Sequence, residues 1–165
     1  MTNLPTNHNF GAGLVPAHQH VNGGGWVADT AKVSTSAYVG PNAKVFGNAW
    51  IGDNAWVSGD ATVSGNADIY GNAWIGDNAR VSGNARVFGT AEVSGTAWVF
   101  GYASVSGDAR VFGDATVRDN AWIGDNAEVS GTAWVFGYAS VSGDARVFGD
   151  ARVSGTAKVS ETCLV

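Results

Sequence analysis

The sequence predicts an all-β fold, a triangular parallel β-solenoid with 18 residues in each coil. Val or Ile stands at every sixth residue from Val27 to Val165, in 24 successive positions without an insertion. Ala stands two residues before each of these positions from Ala31 to Ala157, so that the consensus is A-x-V-x-G-[NDT]. Residues two apart on a strand share a face, so we expect both apolar positions to point inward.

Each six-residue unit is expected to form one short strand and one bend. Most units end in Gly followed by Asn, Asp or Thr, which suits a corner that needs left-handed or turn conformations. A six-residue spacing does not stay on one face of a helix, so a helical interpretation fails. Identical units bend the same way each time and close a coil after three sides, which gives about seven to eight coils over residues 27–165.

A longer repeat supports the 18-residue coil. The stretch AEVSGTAWVFGYASVSGDARVFGDA at 91–115 recurs letter for letter at 127–151. Its offset of 36 residues equals two coils. Because a small Ala lets the chain turn at each corner, a larger side chain at Ala91 is expected to overpack the core.

The charge and the composition exclude several classes of protein. The net charge is −5 at pH 7, whereas nucleic-acid binders need clustered Lys and Arg, so we expect no nucleic-acid partner. There is no run of 18 apolar residues and no basic leader with an apolar stretch. We therefore expect no membrane partner and no Sec signal. The single Cys163 occupies an inward position and is expected to be a small core residue.

The two ends of the chain are expected to behave differently from the repeat. Residues 1–26 depart from the consensus, with Pro16 and a Gly run at 23–25, so we predict an N-terminal cap or docking arm before a repeat domain at 27–165. The register continues to Val165, so we expect an uncovered edge that pairs with another chain. The expected partner is a second copy, in an end-to-end or lateral homo-oligomer that includes a trimer among its forms.

The unit NAWIGDNA, at 48–55 and 72–79, carries a likeness to a known family. It resembles the bacterial hexapeptide-repeat proteins, a family that includes many acyltransferases and the gamma-type carbonic anhydrases. This resemblance implies a left-handed parallel β-helix, although crossovers between parallel strands are ordinarily right-handed. The Gly-Asn-Ala-x-Val form and GGGWVADTAKV at 23–33 are also similar to repeat proteins of phage and prophage regions, which implies a virion-associated location. The single cysteine fits a reducing cytoplasm, so a cytoplasmic location is the other expectation.

The sequence predicts no catalytic residue, no metal and no cofactor. All three histidines, His8, His18 and His20, precede the repeat, and no loop interrupts it. An acyltransferase of the family that it resembles would need a His general base, so its site would lie at a subunit junction. His18 and His20 are the metal-ligand candidates, but as a lone local pair they lack the third ligand of a catalytic zinc site.

Outward-facing aromatic residues form the predicted contact surface. Folding the outward positions onto three faces places residues 18 apart beside one another, and Arg118 is then expected to stack between phenyl rings. Gly52 and Gly124 are expected to leave vacant space beside two of the indoles. The predicted contact residues are Trp50, Trp56, Trp74, Trp98, Phe100, Arg118, Trp122, Trp134 and Phe136.

These patterns favour a non-catalytic structural or interaction solenoid that self-associates. Exposed aromatic rows mark contact surfaces for a protein or a glycan, although they also shield strands by stacking along ladders. An acyltransferase is the alternative. Ice binding is a third hypothesis, but it requires regular ranks of Thr, and the threonines here are scattered over outward and corner positions.

Overall fold

The computed structural model describes residues 6–161 and 164–165, which form 25 short strands and no helix. Within this part of the chain there is accordingly no helix of the length and apolarity needed to cross a membrane. In chain order the strands are β1 (Asn7–Asn9), β2 (Leu14–Gln19), β3 (Trp26–Ala28), β4 (Lys32–Val33), β5 (Tyr38–Val39), β6 (Lys44–Val45), β7 (Trp50–Ile51), β8 (Trp56–Val57), β9 (Thr62–Val63), β10 (Asp68–Ile69), β11 (Trp74–Ile75), β12 (Arg80–Val81), β13 (Arg86–Val87), β14 (Glu92–Val93), β15 (Trp98–Val99), β16 (Ser104–Val105), β17 (Arg110–Val111), β18 (Thr116–Val117), β19 (Trp122–Ile123), β20 (Glu128–Val129), β21 (Trp134–Val135), β22 (Ser140–Val141), β23 (Arg146–Val147), β24 (Arg152–Val153) and β25 (Lys158–Val159).

From β3 onward each strand pairs in parallel with the strand three further along the chain. Val45 pairs with Val63, and Val63 pairs with Val81, so the offset is 18 residues. The first sheet runs β1-β2-β3-β6-β9-β12-β15-β18-β21-β24, the second contains β4 to β25 and the third β5 to β23, each in steps of three. The predicted parallel solenoid is confirmed, with about seven turns. Its handedness stays a prediction.

The core consists of the two inward positions of each unit. Ala91 and Val93 are fully buried, as are their equivalents in the coils above and below. The strand amides donate along the axis of the solenoid, for example from Trp50 N to Ala67 O at 2.9 Å and from Gly52 N to Ile69 O at 2.8 Å. Burial of both apolar positions and pairing of the backbone therefore follow from the same 18-residue step.

Most corners place a Gly in the left-handed conformation with positive φ, as the sequence predicted. Gly83 has a φ of 71°, and most corner glycines are similar. Four units place Asp at this position instead: Asp53, Asp77, Asp119 and Asp125, with φ between 51° and 62°. Each of these carboxylates accepts a hydrogen bond from the corner Gly N–H of the next coil, at 2.9–3.2 Å. This bond stabilises a conformation that other side chains disfavour.

The segment before the repeat forms an antiparallel hairpin. β1 pairs with β2, and β2 pairs with β3 at the edge of the first sheet. Its side chains reach back over the outside of the first coils, because His8 stacks on Trp26 with centroids 4.4 Å apart and Phe10 contacts Phe46 at 5.0 Å. The assignment of residues 1–26 to a cap or docking arm stays a prediction. Cys163, predicted to be a core residue, lies outside the described residues.

Candidate binding face

The outward side chains of the first sheet differ in charge from those of the other two sheets. We name those from β3 to β24 the aromatic–cationic face. Its residues, all within the described range, include no Asp or Glu, whereas Asp68 points outward from the second sheet and Glu92 and Glu128 from the third. The face consists of Trp26, Lys44, Phe46, Thr62, Ser64, Arg80, Ser82, Trp98, Phe100, Thr116, Arg118, Trp134, Phe136, Arg152 and Ser154. A chain with a net charge of −5 thus carries one face on which every formal charge is positive.

Two pairs of aromatic rings stand on this face, two coils apart. Trp98 contacts Phe100 with ring centroids 4.2 Å apart. Trp134 and Phe136 occupy the equivalent positions, and Thr116 pairs with both Trp98 and Trp134. The two indoles are about two-fifths exposed. Large apolar rings remain accessible at regular intervals along the solenoid.

Arg118 contacts both the Trp134–Phe136 ring pair of the next coil and the corner residue Asp119. Its guanidinium carbon lies 4.6 Å from the centroid of Phe136 and 5.7 Å from that of Trp134. It also donates to Asp119 Oδ2 at 2.9 Å. The sequence predicted that Arg118 would stack between two phenyl rings; the geometry places it against Phe136 and Trp134 of the coil above.

A cleft of about 420 Å³ lies at the lower end of the aromatic–cationic face. Its walls are Phe10 and Phe46 at one end and Trp98 at the other, and its floor carries the hydroxyls of Thr62, Ser64 and Ser82. Lys44 and Arg80 also line it. The cleft thus combines aromatic walls, hydroxyl groups and two cations.

His8 lies beside this cleft as a neutral aromatic group. Its ring stacks on Trp26 and lies edge-on to Phe10 at 4.7 Å. Nε2 is buried and has no hydrogen-bond partner among the described residues. Desolvation of the ring, with a smaller contribution from the charge of Lys44, lowers the pKa of His8 below its ordinary value. The imidazole therefore serves as packing surface for the hairpin.

Three of the predicted contact residues are better explained by packing. The indoles of Trp50, Trp74 and Trp122 lie over Gly52, Gly76 and Gly124, because a Cβ at these glycines would stand 2.3–2.6 Å from the ring. The expected vacant space beside Gly52 and Gly124 is therefore wrong, since the indole itself fills it. Trp74 Nε1 and Trp122 Nε1 each donate to a Ser Oγ one coil below, at 3.0 Å. These rings shield the strands.

The third sheet carries a ladder of paired charges. Glu92, Arg110, Glu128 and Arg146 occupy successive coils. Arg110 Nε lies 3.4 Å from Glu92 Oε2, and Arg146 Nε lies 3.4 Å from Glu128 Oε2. Lower on this sheet Trp56, which precedes Trp74 in register, stacks on Tyr38 with centroids 3.9 Å apart. The four charges of the Glu–Arg ladder on this sheet are therefore paired with one another.

The histidines of the N-terminal segment do not converge. His18 is exposed, with Nδ1 2.9 Å from Asp29 Oδ1. His20 is buried, and its Nε2 lies 3.0 Å from the carbonyl oxygen of Ala37. Across residues 6–161 and 164–165 no group of three or more His, Cys, Asp or Glu side chains is placed to hold a metal ion. The expectation that the candidate pair His18 and His20 binds no metal stays a prediction.

A family model agrees with the repeated coil. The YdcK beta solenoid repeat matches residues 73–89, 79–95, 103–125 and 139–155, which together make up less than half of the chain. The chain is a β-solenoid repeat protein. No curated protein and no solved structure matches this solenoid. The narrower resemblances to hexapeptide transferases and to phage proteins stay predictions.

Lys44 and Arg80, two of the cations on this face, were not predicted from the sequence. The predicted residues Trp98, Phe100, Arg118, Trp134 and Phe136 do share the face. The missed signal was available, because residues 18 apart along this side alternate aromatic, cationic and hydroxyl groups without a carboxylate. The contribution of the hairpin through Phe10 had no such signal.

Proposed function

We propose that this solenoid is a non-catalytic binding scaffold whose ligand is a glycan lying along the aromatic–cationic face. The observation that carries the proposal is the pair of exposed indoles, Trp98 and Trp134, each with a partly buried Phe two residues later, on the one face that has no outward carboxylate among the described residues. Flat rings pack against the C–H faces of sugars, and neighbouring Thr and Ser hydroxyls donate to and accept from sugar hydroxyls. A rigid, repeated coil holds these groups in line with an extended chain.

Replacing Trp134 by Ala is expected to weaken glycan binding about tenfold, since an exposed aromatic anchor of an interface contributes on this scale. Calorimetric titration with a panel of neutral and anionic hexasaccharides measures the effect. Trp122→Ala is the matched control, because Trp122 and Trp134 are equally exposed but Trp122 lies over Gly124 on another sheet. Equal losses in both variants, or no binding of any hexasaccharide to the parent chain, would contradict the proposal.

A second copy of the chain is the competing occupant of this face. Self-association was predicted from the sequence, and sedimentation velocity over a range of concentrations tests it on the same variants. If the parent chain dimerises and Trp134→Ala restores the monomer, the face is a contact between copies and the glycan proposal fails. If the parent chain and Trp134→Ala have the same oligomeric state, no second copy covers the aromatic–cationic face through Trp134, which supports the glycan proposal.

Acyl transfer is the second candidate function, favoured by the His18–Asp29 pair. A carboxylate that holds one imidazole nitrogen leaves the other available as a general base. Asp29 also lines an apolar cavity of about 390 Å³ beneath the hairpin. If this site acts, acetyl-CoA-dependent thiol release falls at least about 100-fold in His18→Ala. The control His8→Phe keeps the aromatic stack and should retain activity, and a parent chain that releases no thiol rules the candidate out.

A further inference from the structure

Arg80 is unusual among the arginines of this chain. Among the described residues, ion pairs connect Arg110, Arg118 and Arg146 to carboxylates. Aromatic rings lie within 6 Å of the guanidinium of Arg86 and of Arg152. Arg80 has neither kind of contact, and its side chain is exposed in the cleft of the aromatic–cationic face. Its five N–H donors are thus available to a ligand.

The second cation of the cleft lies on the same column as Arg80. Lys44 pairs with Thr62, and Thr62 pairs with Arg80, so two coils separate the cations, or about 9.6 Å along the axis. Lys44 likewise has no ion pair among the described residues. The hydroxyl of Thr62 stands between the two charges. This spacing suits an extended chain that carries anionic groups at intervals.

The remaining walls of the cleft are suited to sugar rings. Phe46 forms the wall at the Lys44 end of the cleft. Trp98 forms the opposite wall, on the strand that pairs with the strand of Arg80. Ser82 accepts a hydrogen bond from Trp98 Nε1 at 3.3 Å, which fixes the indole at the upper wall. Aromatic surfaces at both ends and hydroxyls between them bind the non-ionic part of a saccharide.

We infer that this cleft is a subsite for a carboxylated glycan, one that contains uronic acid units. One carboxylate binds Arg80 through two parallel N–H···O bonds, and Lys44 attracts a second carboxylate as a point charge. This inference rests on the proposed glycan-binding function and specifies its ligand. No outward position of this face holds Asp or Glu, so no protein carboxylate at these positions repels the carboxylates of the ligand.

A single-stranded nucleic acid is the other polyanion that stacks on aromatic rings. Its binding requires a groove of cations that follows the phosphate backbone closely. Here Thr62 and Trp98 occupy the coils on either side of Arg80, and the whole chain has a net charge of −5. Widely spaced cations with hydroxyls between them therefore favour the acidic glycan.

The test compares a hexamer of galacturonic acid with its methyl ester, which keeps the sugar rings and removes the charge. The acid is expected to bind the parent chain about tenfold more tightly than the ester at low salt, and this preference should shrink as salt is added. Arg80→Gln is expected to remove most of the preference, with Lys44 providing the remainder, while leaving the affinity for the ester unchanged. Lys44→Gln should reduce the preference, and the control Arg86→Gln, on the second sheet, should keep it.

The outcomes separate the two proposals. If acid and ester bind equally, or Arg80→Gln keeps the preference, the carboxylate subsite is refuted while a Trp134-dependent affinity for both hexamers still supports glycan binding. If neither hexamer binds, the carboxylate subsite is refuted, and the glycan proposal fails as well only if no hexasaccharide of the calorimetric panel binds. If a short oligothymidylate binds the cleft more tightly than the acid hexamer and displaces it, the ligand is a single-stranded nucleic acid and the glycan assignment is wrong. Circular dichroism of each variant checks that it is folded.

Discussion

Replacing Ala91 by Leu is expected to lower the free energy of unfolding by about 1 to 3 kcal/mol. Ala91 is fully buried at a corner, stacked between Ala73 and Ala109, which are also fully buried. The backbone spacing between coils is set by strand hydrogen bonds, so neither neighbour can move away to admit three further carbon atoms. Urea unfolding followed by circular dichroism measures the loss.

The same substitution at Ala157 is the matched control. Ala157 holds the same position in its six-residue unit, and its N–H donates to Ser154 O as at other corners. It is exposed, however, in the last complete unit that the structure describes. Ala157→Leu should therefore change stability by less than about 0.5 kcal/mol. Equal losses at positions 91 and 157 would contradict the view that overpacking inside the prism is the cause.

The coil was predictable because one short pattern determines every backbone contact. Two inward positions in six, Val and Ala, allow burial on a single side of each strand, and a bend must follow before the next pair. The letter-for-letter copy at an offset of 36 then fixed two coils as the spacing between equivalent groups. Trp134 and Phe136 lie above Trp98 and Phe100 for this reason alone.

The orientation of the indoles was less predictable, although its cause is local. Trp122 lies flat because Gly124, two residues later, has no side chain to hold the ring away. Trp98 has Phe100 at the equivalent position, and the two rings tilt by 32° against each other. Gly two residues after a Trp therefore marks an indole that lies flat over the backbone, as at Trp50, Trp74 and Trp122.

The hairpin could not be placed from sequence. His8 and Phe10 precede the repeat and follow no period, yet they contact Trp26 and Phe46 across intervening strands. Such contacts depend on where the chain bends back over the sheet, for which the six-residue pattern contains no information. The wall that Phe10 adds to the cleft is consequently a feature that only the folded chain reveals.

Replacing Gly83 by Ala is expected to lower the free energy of unfolding by about 2 to 5 kcal/mol, the combined effect of a left-handed conformation and a backbone contact. Gly83 has a φ of 71°, and a Cβ there would stand 2.9 Å from the amide nitrogen and 3.0 Å from the carbonyl oxygen of Gly101, one coil above. These are backbone atoms held by the stack, so they cannot rotate away. Urea unfolding again gives the measurement.

Two further variants separate the two contributions to this loss. Gly155 has a φ of 66° but nothing within 4 Å of an added Cβ, so Gly155→Ala should show the conformational cost alone, about 1 to 2 kcal/mol. Gly83→Asp introduces the same Cβ, but its carboxylate can accept the N–H of Gly101, as Asp77 accepts that of Gly95 at 2.9 Å. It should therefore fall between the parent and Gly83→Ala. If Gly83→Ala and Gly155→Ala are equally destabilised, contact between coils does not explain why the corner positions hold Gly or Asp, and the left-handed backbone alone must account for them.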